Sequence, residues 1–434
     1  MSQNASRTFV GFGFGAIQAG LYLYEASRSG KFDRLVVAYR RPEVIARIRK
    51  AGGTFALNIA HQDGVEVAQV GPVEPLDVNV PADRERLVEA IAAAEEIATA
   101  VSSVQDYIGE GSSSIHQLLA EGLRRKAADG EPRALIYASE NHTAAAELLE
   151  KSVLETLAEE ECEAVSRRSC FVNTVIGKMS RTVDDPDELR ELSLTPITPS
   201  DTRAFLVERY RHILISQVQF ADGAPFERAF DFEEKADLTP FEEAKLYGHN
   251  ATHALAAYLG ERVGVTYVAE LAEVPGFLLF LRAAALEESG AALIQKHGGS
   301  DPLFTVGGYE AFTENLLERM LNPYLKDTVA RVGRDPRRKL GWNDRLVGTL
   351  RLVIRAGLPP HRHALGTAAA LAKLAMKAEG LPSLWQDDEV SDAEQQVVLS
   401  FVEAGVDNLK AWQDAGYPPL EPFFQTRLRA QAMT

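Results

Sequence analysis

Thr8-Phe9-Val10-Gly11-Phe12-Gly13-Phe14-Gly15-Ala16 is the stretch on which the fold turns. Residues 8–10 read as a short buried strand, 11–16 as a glycine turn and 17–26 as an apolar helix. The spacing Gly11-x-Gly13-x-x-Ala16 fits the fingerprint of a dinucleotide-binding β-α-β unit. Bare backbone at Gly13 lets a pyrophosphate approach, and the helix N-terminus holds its charge. Glycine-rich turns are common, so the position of this one at the head of a β-α-β pattern carries the weight.

Working outward, a second strand over 34–38 ends in Tyr39-Arg40-Arg41. Dinucleotide folds usually place an acidic residue here, for the ribose hydroxyls, whereas arginines suit a ribose 2′-phosphate. The cofactor is therefore expected to be NAD or NADP, with Tyr39 and Arg40 tilting the choice towards NADP. A solvated loop with a stacking tyrosine is the competing reading. A helix over 82–94, an apolar segment over 96–103 and a strand over 132–138 follow. The last closes on Ser139-Glu140-Asn141-His142, and such a strand end is where an open parallel sheet presents its ligand site. Residues 184–199, proline-bearing and acidic, read as a linker or excursion. The second half of 205–220 reads as a strand extending the first domain's sheet.

From Pro240 the apolar spacing becomes helical, predicting helices over 241–260, 266–271, 277–296, 309–321, 344–356, 363–377 and 392–414. The expected fold is an α/β Rossmann-like domain over 1–235 that binds NAD(P), then a mainly α-helical substrate domain over 236–434. The 434 residues suffice for two cores, and 46% hydrophobic with 25% charged residues is ordinary globular composition. A formal charge of −16 argues against a duplex nucleic-acid partner. No secretory signal is legible in residues 1–7, and the most apolar stretch, 274–286, is interrupted by Arg282. Cys162 and Cys170 have neither a zinc nor a disulfide-framework spacing. The expectation is a cytoplasmic protein needing no metal and no membrane, a monomer or small homo-oligomer that acts on a small molecule.

Lys245-Leu246-Tyr247-Gly248-His249-Asn250-Ala251-Thr252-His253 carries the chemistry. At α-helical spacing, with Lys245 at zero, His249 falls at about 40°, His253 at about 80° and Asn250 at about 140°. A lysine of lowered pKa takes a hydroxyl proton, and an amide NH2 stabilises the developing alkoxide. The alternative is a helix whose polar groups satisfy buried backbone.

Lys245-x4-Asn250-x2-His253 resembles the signature of the polyol-specific long-chain dehydrogenase/reductases, the mannitol dehydrogenase family. The segment Arg331-Val332-Gly333-Arg334-Asp335-Pro336-Arg337-Arg338-Lys339-Leu340, continued by Asp344-Arg345-Leu346, resembles the branch acting on mannitol 1-phosphate. The resemblance implies a Rossmann-like domain with a helical partner, and catalysis by Lys245, Asn250 and His253. Asn173 becomes a second donor to the substrate oxygen; its spacing alone suggests a strand-end cap. Cofactor contacts are implied at Gly11, Gly13, Ala16, Thr99, Ala100, Glu140 and Asn141, besides Tyr39 and Arg40. Arg334, Arg338, Lys339, Arg345 and His361 are implied to bind substrate, with phosphate recognition and structural ion pairing both open for the basic run. The lysine that follows Asp-Arg-Leu-Ile in that branch is Gly348 or Val347 here, so one cation is missing. The expected reaction interconverts a sugar alcohol, a hexitol phosphate first, with its ketose. An unphosphorylated polyol, a sugar acid, and a non-catalytic nucleotide sensor are the rivals.

Overall fold

The structure, a computed structural model, describes residues 7–109, 111–386 and 388–432. Residues 1–6, where the absence of a secretory signal was mainly read, lie outside it. The chain parts into two compact units between Thr239 and Pro240.

The strands of the first unit are β1 (Thr8–Phe12), β2 (Arg34–Tyr39), β3 (Phe55–Ala60), β4 (Val65–Val70), β5 (Glu74–Asp77), β6 (Glu96–Thr99), β7 (Ala134–Ala138), β8 (Ser169–Ile176), β9 (Ser180–Val183), β10 (Ala204–Glu208), β11 (Ile213–Ser216) and β12 (Glu233–Lys235). Eight of them form one sheet in the order β12-β11-β8-β7-β6-β1-β2-β5. From β8 across to β5 every pairing is parallel, while β11 runs antiparallel to β8. Parallel central strands are covered on both faces and so read as apolar runs. Phe9, Leu35, Val37 and Ala98 join one core, whereas Val10, Val36, Ala38 and Ile97 join the other, as the two-residue period requires. The helices Pro81–Ala93 and Ile115–Asp129 bury Leu87, Ile91, Leu118 and Leu119 against the second face.

The strand expected in the second half of 205–220 is β11, and it does extend this sheet. Two features differ from the sequence reading. The first half of that stretch is β10, part of a separate four-stranded sheet ordered β4-β3-β10-β9. Its pairings join residues near 60 to residues near 206, and local periodicity carries no such information. Of the two readings of 184–199, linker or excursion, the linker falls, because the segment is pinned to this sheet: Asn58 Nδ2 donates to Thr195 O at 2.9 Å, and Ala56 N donates to Ile197 O at 2.8 Å.

The second unit is helical. Leu255, Tyr258, Leu259, Phe277, Phe280, Leu316, Trp342, Leu350, Leu365, Val402 and Trp412 share one core. Its first helix runs from Thr239 to Val263 with a π-helical turn over Ala244–Asn250. A second π turn, Ala284–Gly290, interrupts the predicted helix over 277–296. Among the described residues no helix is long and apolar enough to cross a membrane.

Candidate active site

In the first unit β1 has β2 on one side and β6 on the other, which makes the C-terminal edge of the sheet a topological switch point. Gly13 lies just beyond β1 with φ +94°, and its N–H donates to Ala38 O at 3.0 Å. A Cβ there would lie 2.6 Å from Ala100 O, so glycine is required by conformation and by space. Gly11 packs against the Gln18 amide, and Ala16 is buried where the chain enters the helix. Gly15 is exposed, and a Cβ on it would meet nothing within 4 Å. The turn is tight on its inner side and open on its outer one, a shape that fits a pyrophosphate.

Tyr39 ends β2 opposite Asp77 and packs edge-on against Phe14, with ring centroids 6.1 Å apart. Arg40 and Arg41 are exposed, and Arg40 makes one long bond to Ser113 O, 3.4 Å. Thr99 is buried at the end of β6, and Ala100 N donates to Phe12 O at 3.1 Å. Glu140 is buried and turned inward, accepting from Thr99 Oγ1 and Val101 N, both at 2.9 Å, and from Tyr107 Oη. Burial pushes its carboxyl up to about 7, against the pull of those donors. Asn141 is exposed beside it. Asn173 sits within β8: its Oδ1 accepts Ala146 N at the start of the helix Ala145–Leu154, and its Nδ2 donates to Glu147, each at 2.8 Å. Its spacing suggested a strand-end cap; instead it stands inside the strand and its carboxamide serves the start of that helix, committed within this unit.

The second unit assembles its polar cluster around the first π turn. An i→i+5 turn closes on the fifth residue, which moves Asn250 towards the face of Lys245. The α-helical angle of about 140° between them is thus corrected. Lys245 is half-buried, and burial followed by the Arg345 charge lowers its ammonium to about 8. Asn250 is half-buried, and its side-chain amide has no hydrogen-bond partner among the described residues. His253 Nε2 stands 3.5 Å from Asp327 Oδ2, and Arg331 grips Asp327 through two bonds of 2.7 and 2.9 Å. Burial lowers His253 to about 4 although Asp327 pulls the other way; burial and the Arg319 charge hold His249 well below the ordinary range. Both imidazoles are neutral at pH 7. Asp327 and Arg331 were missed as a unit, and the four-residue Asp–Arg spacing was the available signal.

The basic run divides. Arg338 pairs with Asp335 at 2.9 Å, and Arg345 with Asp344 at 2.8 Å. Lys339 is buried, bonded to Arg334 O and lowered to about 8, by burial first and by Arg345 second. Arg334 and Arg337 are exposed and make no ion pair among the described residues. His361 stands apart from this cluster: its charged neighbours are Glu288 and Arg362, and its ring packs on Phe401. Arg362 itself is absorbed by Glu287 and Glu421. Position 348 admits no lysine unless Tyr247 moves, because even a Cβ would lie 2.6 Å from the Tyr247 ring.

An open parallel sheet with a glycine turn at its switch point, followed by a helical unit, is the build of the two-domain dehydrogenases. Residues 7–226 match the model of the mannitol dehydrogenase Rossmann domain, and 237–400 that of the mannitol dehydrogenase C-terminal domain. The chain belongs to the mannitol dehydrogenase family and is an oxidoreductase of that family. The mannitol-1-phosphate 5-dehydrogenase of Bacillus pumilus is 31% identical over 332 residues, 76% of this chain and 79% of the relative. That of Bacillus licheniformis is 31% identical over 320 residues, 74% and 76%. Among solved structures, a substrate-free D-sorbitol dehydrogenase superposes with a TM-score of 0.72 at 16% identity, covering 95% of this chain and 94% of its own. Pseudomonas fluorescens mannitol 2-dehydrogenase, in a ternary complex with NAD and D-mannitol, gives 0.66 at 17% identity, covering 98% and 95%. These two similarities concern the fold.

Proposed function

We propose that the chain is an NAD(P)-dependent dehydrogenase that interconverts a secondary alcohol of a hexitol phosphate, such as mannitol 1-phosphate, with the corresponding ketose phosphate. The observation that carries this is Lys245, whose ammonium is held near 8 within reach of neutrality, on the same π turn as the uncommitted amide of Asn250. In alcohol oxidation neutral Lys245 accepts the hydroxyl proton while the Asn250 NH2 donates to the oxygen as charge develops. His253, neutral and with its Nε2 3.5 Å from Asp327 Oδ2, orients the substrate hydroxyls or Lys245. The reverse direction returns the proton from the ammonium to the carbonyl oxygen. The nicotinamide, when bound, supplies the hydride acceptor or donor. Gly11, Gly13 and Ala16 form the pyrophosphate turn of this reading, Thr99 and Ala100 the loop beside it, and Asn141 stands exposed at the neighbouring strand end. Exposed Arg40 favours a 2′-phosphate, hence NADP. Asn173 is assigned to capping and assists the substrate oxygen only if Glu147 releases it.

Arg334, unpaired and adjoining Lys339, is the first candidate for the substrate phosphate, since Arg338 and Arg345 already hold carboxylates. A second reading, an unphosphorylated polyol or sugar acid, is favoured by the tyrosine-filled space at Gly348. The test is oxidation of NADH and of NADPH, each with fructose 6-phosphate and with fructose. Turnover with the phosphate alone is expected. Turnover with fructose alone selects the second reading, and cofactor binding with no turnover of either sugar refutes both.

A further inference from the structure

Thr99 at the end of β6 lies opposite Ala138 at the end of β7, and two residues further on Glu140 folds back beneath the loop that leaves β6. Its Oε1 accepts Val101 N, and its Oε2 accepts both Thr99 Oγ1 and Tyr107 Oη. One carboxylate thus gathers a strand end, a loop amide and a helical turn, Val104–Tyr107. That turn is held from behind as well, by His116 Nδ1 on Tyr107 O at 2.9 Å. On its other side the same loop bounds the glycine turn, through Ala100 N on Phe12 O and through Ala100 O, against which Gly13 has no room for a Cβ. Glu140 is 4% exposed, so it is buried away from any ligand at the crevice.

We infer that Glu140 is a positioning residue for the nicotinamide cofactor: by tethering Thr99, Val101 and Tyr107 it holds the loop over 100–107 against the Gly13 turn. The inference rests on the cofactor reading proposed above. Three donors converge on two oxygens, an arrangement that suits a carboxylate and that protonation disrupts, because a carboxylic acid must itself donate. Burial brings this carboxyl up to about 7, so both forms are populated near neutrality. The titratable groups around it are Tyr107 and Asp106 on the helical turn, His116 behind, His142 on the next turn, and Tyr22, whose hydroxyl pairs with Ser139 Oγ at 2.5 Å. His116 is lowered by burial and Tyr22 raised by it, so neither of these two shares the charge change of Glu140. The loop tightens as pH rises through about 7, and cofactor affinity rises with it.

The experiment is fluorescence titration of the full chain with NADH and with NADPH at about pH 6, 7 and 8, for wild type, Glu140→Gln and Tyr107→Phe. Wild type should bind more tightly as pH rises. Glu140→Gln, neutral throughout, should bind about fivefold more weakly at the highest pH and lose the pH dependence. Tyr107→Phe removes one donor to the charged form, so its midpoint should move up. Should Glu140→Gln fail to fold, Tyr107→Phe decides alone: an unmoved midpoint overturns the inference. A Glu140→Gln protein that tracks wild type at every pH also overturns it, leaving the cofactor reading intact. Wild type that binds neither nucleotide overturns both.

Discussion

Replacing Arg345 by Gln tests the central chemical claim, because Arg345 is the second cause, after burial, of the lowered Lys245 ammonium. At pH 7 an amine of pKa about 8 is roughly 9% neutral, against about 0.03% for an ordinary lysine, a gain of roughly 300-fold in available base. Arg345 contributes less than burial does, and in the same direction. The acidic limb of kcat/KM for alcohol oxidation should therefore lie near 8 in wild type and move up in Arg345→Gln. At pH 7 the rate should fall from protonation alone, by less than the roughly 300-fold that separates this lysine from an ordinary one. Ketose reduction needs the ammonium, so its rate should fall with rising pH through the same midpoint. Lost substrate contacts would raise KM at every pH without moving the midpoint, and this separates the two effects. The assay is initial-rate kinetics in both directions from about pH 6 to 10, with Lys245→Met as control. A limb that persists in Lys245→Met, or a midpoint unmoved in Arg345→Gln, would refute the assignment of Lys245 as the base under Arg345's field.

Gly248→Ala should destabilise the protein by about 1–3 kcal/mol, because the new Cβ runs into the Tyr309 hydroxyl. Tyr309→Phe should recover part of that loss in denaturant unfolding, and strict additivity of the two would show that the clash is not the cause. Gly13→Ala forces an alanine to φ +94° against Ala100 O and should weaken nucleotide binding at least about tenfold. Unchanged binding in fluorescence titration would remove Gly13 from the cofactor site. Glu140 carries a stability signature too. Its carboxyl is raised from 4.5 to about 7, so between those values the folded state binds the extra proton and stability falls as pH rises. The full span is about 3 kcal/mol, absent from Glu140→Gln, whose stability relative to wild type should improve from about pH 5 to 8. Urea unfolding of both proteins checks this, and a difference that stays flat with pH contradicts the burial argument.

The glycine turn at the head of a β-α-β pattern and the helical second half were legible because each rests on local pattern: a fixed glycine spacing, or apolar residues at period two or 3.6. The second sheet was not, since β3 and β10 lie about 150 residues apart and neither alone distinguishes one sheet from another. The π turn escaped for a different reason. Lys245 and Asn250 are five apart whether the turn is α or π, and only the hydrogen bonding decides whether they share a face. Inward carboxylates escaped as well. Glu140 reads as a strand-end acid open to a ligand, yet three donors from other segments turn it inside.

The basic run from Arg331 to Arg345 makes the same point about charge. Its sign is plain in a chain of formal charge −16, but a phosphate site needs cations that nothing else has neutralised. Asp327, Asp335 and Asp344 are interleaved in the same sequence and take Arg331, Arg338 and Arg345. What remains is Arg334 with the buried Lys339 bonded to its carbonyl, and the exposed Arg337. Arg345 keeps a second role through its field on Lys245, Lys339 and the two imidazoles, which holds all four groups towards their neutral forms. On this account the run serves less as a single anion cradle than as the source of the potential that makes a lysine basic at neutral pH.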